Sequence, residues 1–202
     1  FNGSYADIPF TISRARILGL TNPIVTGNIS SKIDIHKLKG LVDDELMKFS
    51  KGKADVGLAF RADVENFKLV RPFVQGKVNV TNASVTYVPR NLQFKDINVV
   101  LDFAENDMNI SKINLKSGKS IIEMEGNIKN FLNLYYTAPE TVVLNWNVYS
   151  PRLYLDDFMG FAGKRKRTTK VSANTSRKGN FTEDINTLFE QSNVDLKLRV
   201  DK

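Results

Sequence analysis

Apolar residues recur at every second position through much of this chain, and that period limits what it can fold into. Ile97, Val99, Leu101 and Phe103 alternate with Asn98, Val100 and Asp102. Val78 and Val80 alternate with Asn79 and Thr81, and Val85 and Tyr87 with Ser84 and Thr86. Ile122, Met124 and Ile128 interleave with Glu123, Glu125 and Asn127; Val142, Leu144, Trp146 and Val148 do the same with Val143, Asn145 and Asn147. Successive side chains of an extended strand point to opposite faces, so each run makes a strand with one apolar and one polar side. Turn-forming residues separate the runs: Thr81-Asn82, Pro89-Arg90-Asn91, Glu105-Asn106-Asp107, Lys116-Ser117-Gly118-Lys119 and Ala138-Pro139. Strands at roughly eight- to twelve-residue spacing with short links predict a mainly β fold, an antiparallel meander.

Two segments change period. Leu38, Leu41, Val42, Leu46 and Phe49 fall at helical spacing, with Asp43 and Asp44 opposite. Phe181, Ile185, Leu188 and Phe189 repeat the pattern after Asn180, whose side chain, with Glu183 three residues on, suits a helix N-cap. The sequence therefore predicts two short amphipathic helices, over 38–49 and 181–191.

The chain also repeats itself. Ser30–Leu41 (SSKIDIHKLKGL) matches Ser150–Phe161 (SPRLYLDDFMGF) without gaps at an offset of 120. Val56–Asp63 (VGLAFRAD) matches Val194–Asp201 (VDLKLRVD) at an offset of 138. The second copy thus holds about eighteen extra residues between its two blocks. Repeated strand units imply a sheet that extends by adding copies.

The net charge is confined to that insertion. The chain has 29 basic and 22 acidic residues, net +7, and Lys164–Lys178 alone contributes seven bases and no acid. The rest is electroneutral and has no nucleic-acid footprint. The basic stretch is otherwise Thr, Ser, Asn, Ala and Val, too little apolar surface to offset its ordering entropy, so a solvated loop is expected. The domain reading is a repeated β unit over 1–161 with the helix near 38–49, a basic, disordered insertion over 162–180, and over 181–202 a helix and the first strand of a following repeat. No run of eighteen apolar residues occurs. With no initiator Met or leader, the chain is expected to be part of a longer protein.

The phrases INLKSGKSIIEMEGNIKNF and NVYSPRLYLDDFMGF, linked to the earlier FKDINVVLDF, resemble the AsmA family and its TamB-type relatives, most clearly over Phe73–Phe161. The resemblance implies an extended, curved β-groove in the periplasm of the bacterial envelope, anchored to the inner membrane. It also implies a role in outer-membrane assembly in which phospholipid is held or conducted along apolar side chains. The basic insertion departs from that pattern, and no anchor segment is present.

Nothing in the sequence assembles catalytic chemistry. His36 is the single histidine, and the repeat places Asp156 at its position. Asp156-Asp157 and Asp43-Asp44-Glu45 read as solvated acids near helix starts. There is no cysteine, phosphate loop, nucleophile elbow or zinc-helix motif. A non-enzymatic protein without cofactor or metal is expected. The candidate lipid contacts are Val78, Val80, Val85, Tyr87, Ile97, Val99, Leu101, Phe103, Ile122, Met124, Leu144 and Trp146. Alternation alone leaves a second arrangement open, in which the same faces pack on one another as a closed β-sandwich serving adhesion or carbohydrate binding.

Overall fold

The structure, a computed structural model, describes residues 1–40, 44, 47–66, 68–132, 141–159 and 193–201. These form ten strands in one sheet whose spatial order follows the chain. The strands are β1 (Asn2–Tyr5), β2 (Ile8–Leu18), β3 (Ile24–Asp34), β4 (Met47–Glu65), β5 (Lys68–Tyr87), β6 (Leu92–Glu105), β7 (Asp107–Ser117), β8 (Ser120–Lys129), β9 (Val143–Arg152) and β10 (Asn193–Val200). Neighbours from β1 to β9 are antiparallel. The meander ends there: β10 lies parallel to β9, with Leu196 opposite Trp146 and Leu198 opposite Val148. The sheet is open, with β1 and β10 at its edges.

Two expectations need correction, and a third cannot be compared with the structure. The helix expected over 38–49 is not formed by its described residues: Ile35–Gly40 is a 3₁₀ helix and β4 already begins at Met47. Its apolar residues are spaced for a helix, but Met47 and Phe49 pair with Tyr87 and Val85, so ladder bonds outweigh local periodicity. The helix expected over 181–191 lies outside the described residues. Finally, Thr81-Asn82 is not a turn but a bulge inside the twenty-residue β5.

That bulge belongs to a line of irregularities. Register slips occur near Lys51 in β4, at Asn82 in β5, near Asp96 in β6 and near Ser111 in β7. Asn82 and Asp96 have φ of 55° and 52°, the left-handed backbone that short polar side chains tolerate. An extra residue bends its strand, so slips aligned across four neighbours curve the sheet as a whole. Polar side chains hold the line: Asp96 pairs with Lys116 at 3.1 Å, and the Asn98 side-chain oxygen accepts the Asn82 N–H at 3.1 Å.

With one layer, the core is two clusters on a single face. In one, Ile35 and Leu38 of the 3₁₀ helix fold onto Ala54, Ala83, Val80 and Ile97. In the other, Phe131 and Val142, outside the strands, close over Ile110, Ile128 and Leu144. Phe131 meets Phe103 edge-on at 5.3 Å between ring centres.

Candidate functional site

The ladder registers decide which side chains share a face, because directly paired residues point the same way. Val56, Val78, Leu101, Ile110, Gly126, Trp146 and Leu196 form one row across seven strands. Ile33, Ala54, Val80, Val99, Ile113, Met124, Val148 and Leu198 form the next. A third runs Ile12, Ile29, Leu58, Gly76, Phe103, Met108, Ile128 and Leu144. Beyond the bulge line, Val85 pairs with Phe94 and Phe49, Tyr87 with Leu92, Ile97 with Ala83, and Ile122 with Leu115.

All twelve residues singled out from the sequence therefore lie on one face. Eleven are half-buried, and Leu144 alone is fully covered, beneath Val142. Trp146 is half-buried, and its indole N–H donates to the Met124 Sδ at 3.3 Å. At Gly126, opposite Trp146, a Cβ would collide with the Asn145 carbonyl, so the approach of β9 there requires a residue without a side chain.

Sequence reasoning missed β7. Met108 and Ile110 share the face with Ile113 and Leu115, but the slip between Ile110 and Ile113 changes the phase of alternation. Two short in-phase pairs offset by one residue are the trace a bulge leaves in sequence. The rows also continue through β2, β3 and β4, beyond the strands from which candidates were drawn.

The opposite face is polar and laddered by charge. Lys77 pairs with Asp102 at 3.3 Å, and Asn145 donates to Asn127 at 2.9 Å. Exposed pairs of this kind contribute about 0–1 kcal/mol each, so they keep this face wet more than they hold the sheet together. Two open hollows lie over it. One, of about 570 Å³, is lined by Lys112, Glu123, Glu125, Tyr149, Lys197 and Arg199 among others. The other, of about 680 Å³, is lined by Lys32, Asp34, Lys53, Asp55, Lys77 and Asn79 among others.

Among the described residues no group of three His, Asp or Glu side chains is placed to hold a metal. His36 is exposed on the 3₁₀ helix. Asp156 is exposed as well, but Asp157 is not the solvated acid its position suggested. Its Oδ2 accepts the Ser120 hydroxyl at 2.7 Å and the amides of Lys119 and Ser120 at 2.8 Å each. These bonds, the Ser120 hydroxyl foremost, hold its pKa below the ordinary aspartate value. The Tyr154 amide in turn donates to Ser120 Oγ at 2.8 Å, clipping the 3₁₀ turn Leu155–Phe158 onto the β7–β8 hairpin. Among the described residues no helix is long and apolar enough to cross a membrane. No family model, curated protein or solved structure matches the chain.

Proposed function

We propose that this protein shelters the acyl chains of phospholipid along its apolar face, without a catalytic step, as part of outer-membrane assembly in the periplasm. The observation that carries the reading is the set of apolar rows running across a single-layer open sheet. Such a face is too large and continuous to leave to water in a monomeric protein, and no charge interrupts the three rows.

Magnitudes fit acyl chains. At about 4.8 Å between strands, ten strands span roughly 43 Å, while one lipid tail occupies about half of a 30 Å hydrocarbon core. Each methylene taken from water gives about 0.8 kcal/mol, so a sixteen-carbon chain gives roughly 12 kcal/mol before ordering costs. Contact through rows of Val, Leu, Ile and Phe has no head-group specificity, which suits holding or conducting bulk phospholipid. The resemblance to AsmA-type envelope proteins supports the same reading, and with it attachment to the inner membrane. The sandwich alternative needs a second sheet packed on these rows, and the described strands make one sheet only.

The test is extraction. Protein purified from bacterial cells without detergent should release phospholipid into organic solvent in fixed proportion to protein. Protein that is folded, monomeric and lipid-free, and takes up no fluorescent phospholipid from vesicles, would end the proposal.

A further inference from the structure

The β2–β3 hairpin carries the most exposed large hydrophobic residue among the described residues, although the 3₁₀ turn Leu155–Phe158 also bares Leu155 at 76 %. The tips of the other described hairpins are polar: Ala6-Asp7, Asn91, Glu105-Asn106 and Gly118-Lys119. Here the five-residue link Gly19–Pro23 carries Leu20, 99 % exposed, beside Leu18 at 51 % and Ile17 at 71 %. A single exposed leucine means little, but here Ile17 and Leu18 stand bare on opposite faces of β2 with Leu20 beyond them, so the tip is aliphatic on both sides. Neither cluster of the core reaches them.

Charge on the hairpin itself has one sign. From Ile8 to Ile33 there is no acidic residue, while Arg14 and Arg16 stand just behind the aliphatic tip. Register places Arg16 opposite Thr26 and Thr26 opposite Arg61, so a second strand adds an arginine to the same row. Among the described residues none of these three arginines has an ion-pair partner. The nearest acids on β4, Asp63 and Glu65, are both held by Arg71.

From this pairing of a bare aliphatic tip with unpaired arginines we infer that the β2–β3 hairpin docks the protein on an anionic phospholipid bilayer. Leu18 and Leu20 enter the boundary between headgroups and acyl chains, and Arg14, Arg16 and Arg61 meet lipid phosphates. A few apolar residues backed by arginines are what interfacial insertion requires. A protein partner fits less well: stable recognition buries about 800 Å² on each side, and a three-residue tip presents far less. The inference deepens the lipid-sheltering reading and rests on it for the purpose of the contact; the contact itself is measured separately.

The chain has no cysteine, so Leu20→Cys gives a single labelling site. The full chain carrying an environment-sensitive fluorophore at that position is mixed with vesicles of phosphatidylcholine containing about a third phosphatidylglycerol, with Asn91→Cys on the opposite rim as control. The label at position 20 should shift to the blue and be quenched by bilayer-embedded nitroxide lipids, while the label at 91 should do neither. In unlabelled protein, Leu18→Asp with Leu20→Asp should weaken vesicle binding at least tenfold, and each Arg→Gln change about fivefold. Circular dichroism should be unchanged, since none of these side chains is packed. Binding with no response at position 20, or an unaffected double Asp variant, would overturn the inference by placing the contact elsewhere; so would absence of vesicle binding. Lipid recovered by extraction from the same variants reports on the sheltering face and should not change.

Discussion

The two copies of the internal repeat fold alike up to a point and then part. In the first, β3 runs into the 3₁₀ helix Ile35–Gly40, and β4 returns antiparallel beside β3. In the second, β9 is followed by the 3₁₀ turn Leu155–Phe158, which begins at the same offset of 120, yet β10 lies parallel to β9. The matched phrases set the strand, the turn and the face. They do not set direction. β4 starts at Met47 after a short reversal from Asp34, whereas β10 starts only at Asn193 after Arg152. Forty residues link β9 to β10 against twelve between β3 and β4, so the second link has far more than the dozen residues that a parallel crossover needs. Burial differs too. Ala62 is 2 % exposed between β3 and β5, while its counterpart Val200 is 44 % exposed on the edge strand. Equivalent residues are thus covered by their flanking strands, not by anything in their own phrase.

The largest effect expected from that contrast comes from one substitution made twice. Ala62→Asp places a carboxylate in a sealed position and should cost on the order of 3 kcal/mol or prevent folding. Val200→Asp, at the matching position of β10, should cost under about 0.5 kcal/mol. Denaturant unfolding of both variants measures the difference. Equal losses would mean that a further strand covers β10 in solution.

A smaller effect is expected where the face is half-buried but central. Leu101→Asp should cost about 1–2 kcal/mol, since water reaches an open face, while bound phospholipid falls severalfold. Unfolding melts and extracted lipid, read on the same preparation, separate the two. A variant that unfolds outright would show the row sealed rather than open; one that keeps its lipid would remove Leu101 from the contact.

How much of this was legible follows from what alternation encodes. A period of two names a face, so every candidate from Val78 to Trp146 fell on the same side. It cannot name a bulge, because a bulge appears as a lost period; Thr81-Asn82 therefore looked like a turn, and β7 was passed over. It cannot weigh ladder bonds against local periodicity, which is why Leu38–Phe49 reads as helical although Met47 and Phe49 pair into β4. Nor does it reveal Asp157, whose partners Lys119 and Ser120 are distant in sequence and meet it only when the hairpin forms.

Asp157 sharpens the comparison, because Lys37 holds its place in the first copy and a lysine has no acceptor for those bonds. The carboxylate's folded-state pKa is lowered, so its contribution is present above the ordinary aspartate pKa of about 4 and lost as pH falls through the lower folded value. Asp157→Asn should therefore melt earlier than the parent near pH 6, and the gap should close as pH is lowered below about 4. A gap that is constant with pH would assign the loss to shape rather than charge.

The smallest effect is expected from the segment that separates the copies most. Deleting Lys164–Lys178 removes all seven excess positive charges but leaves a connection about twice the dozen residues that a parallel crossover needs. Loop length enters stability only logarithmically, so the midpoint should move by less than about 0.5 kcal/mol equivalent. Parallel pairing should survive, and amide exchange is the direct readout: amides of β10 facing β9 should keep their protection. If instead β10 loses protection while β1 to β9 keep theirs, the basic stretch is part of what directs the crossover. Length would then not be the variable that separates the two copies, and the pairing direction would have to be credited to the inserted residues themselves.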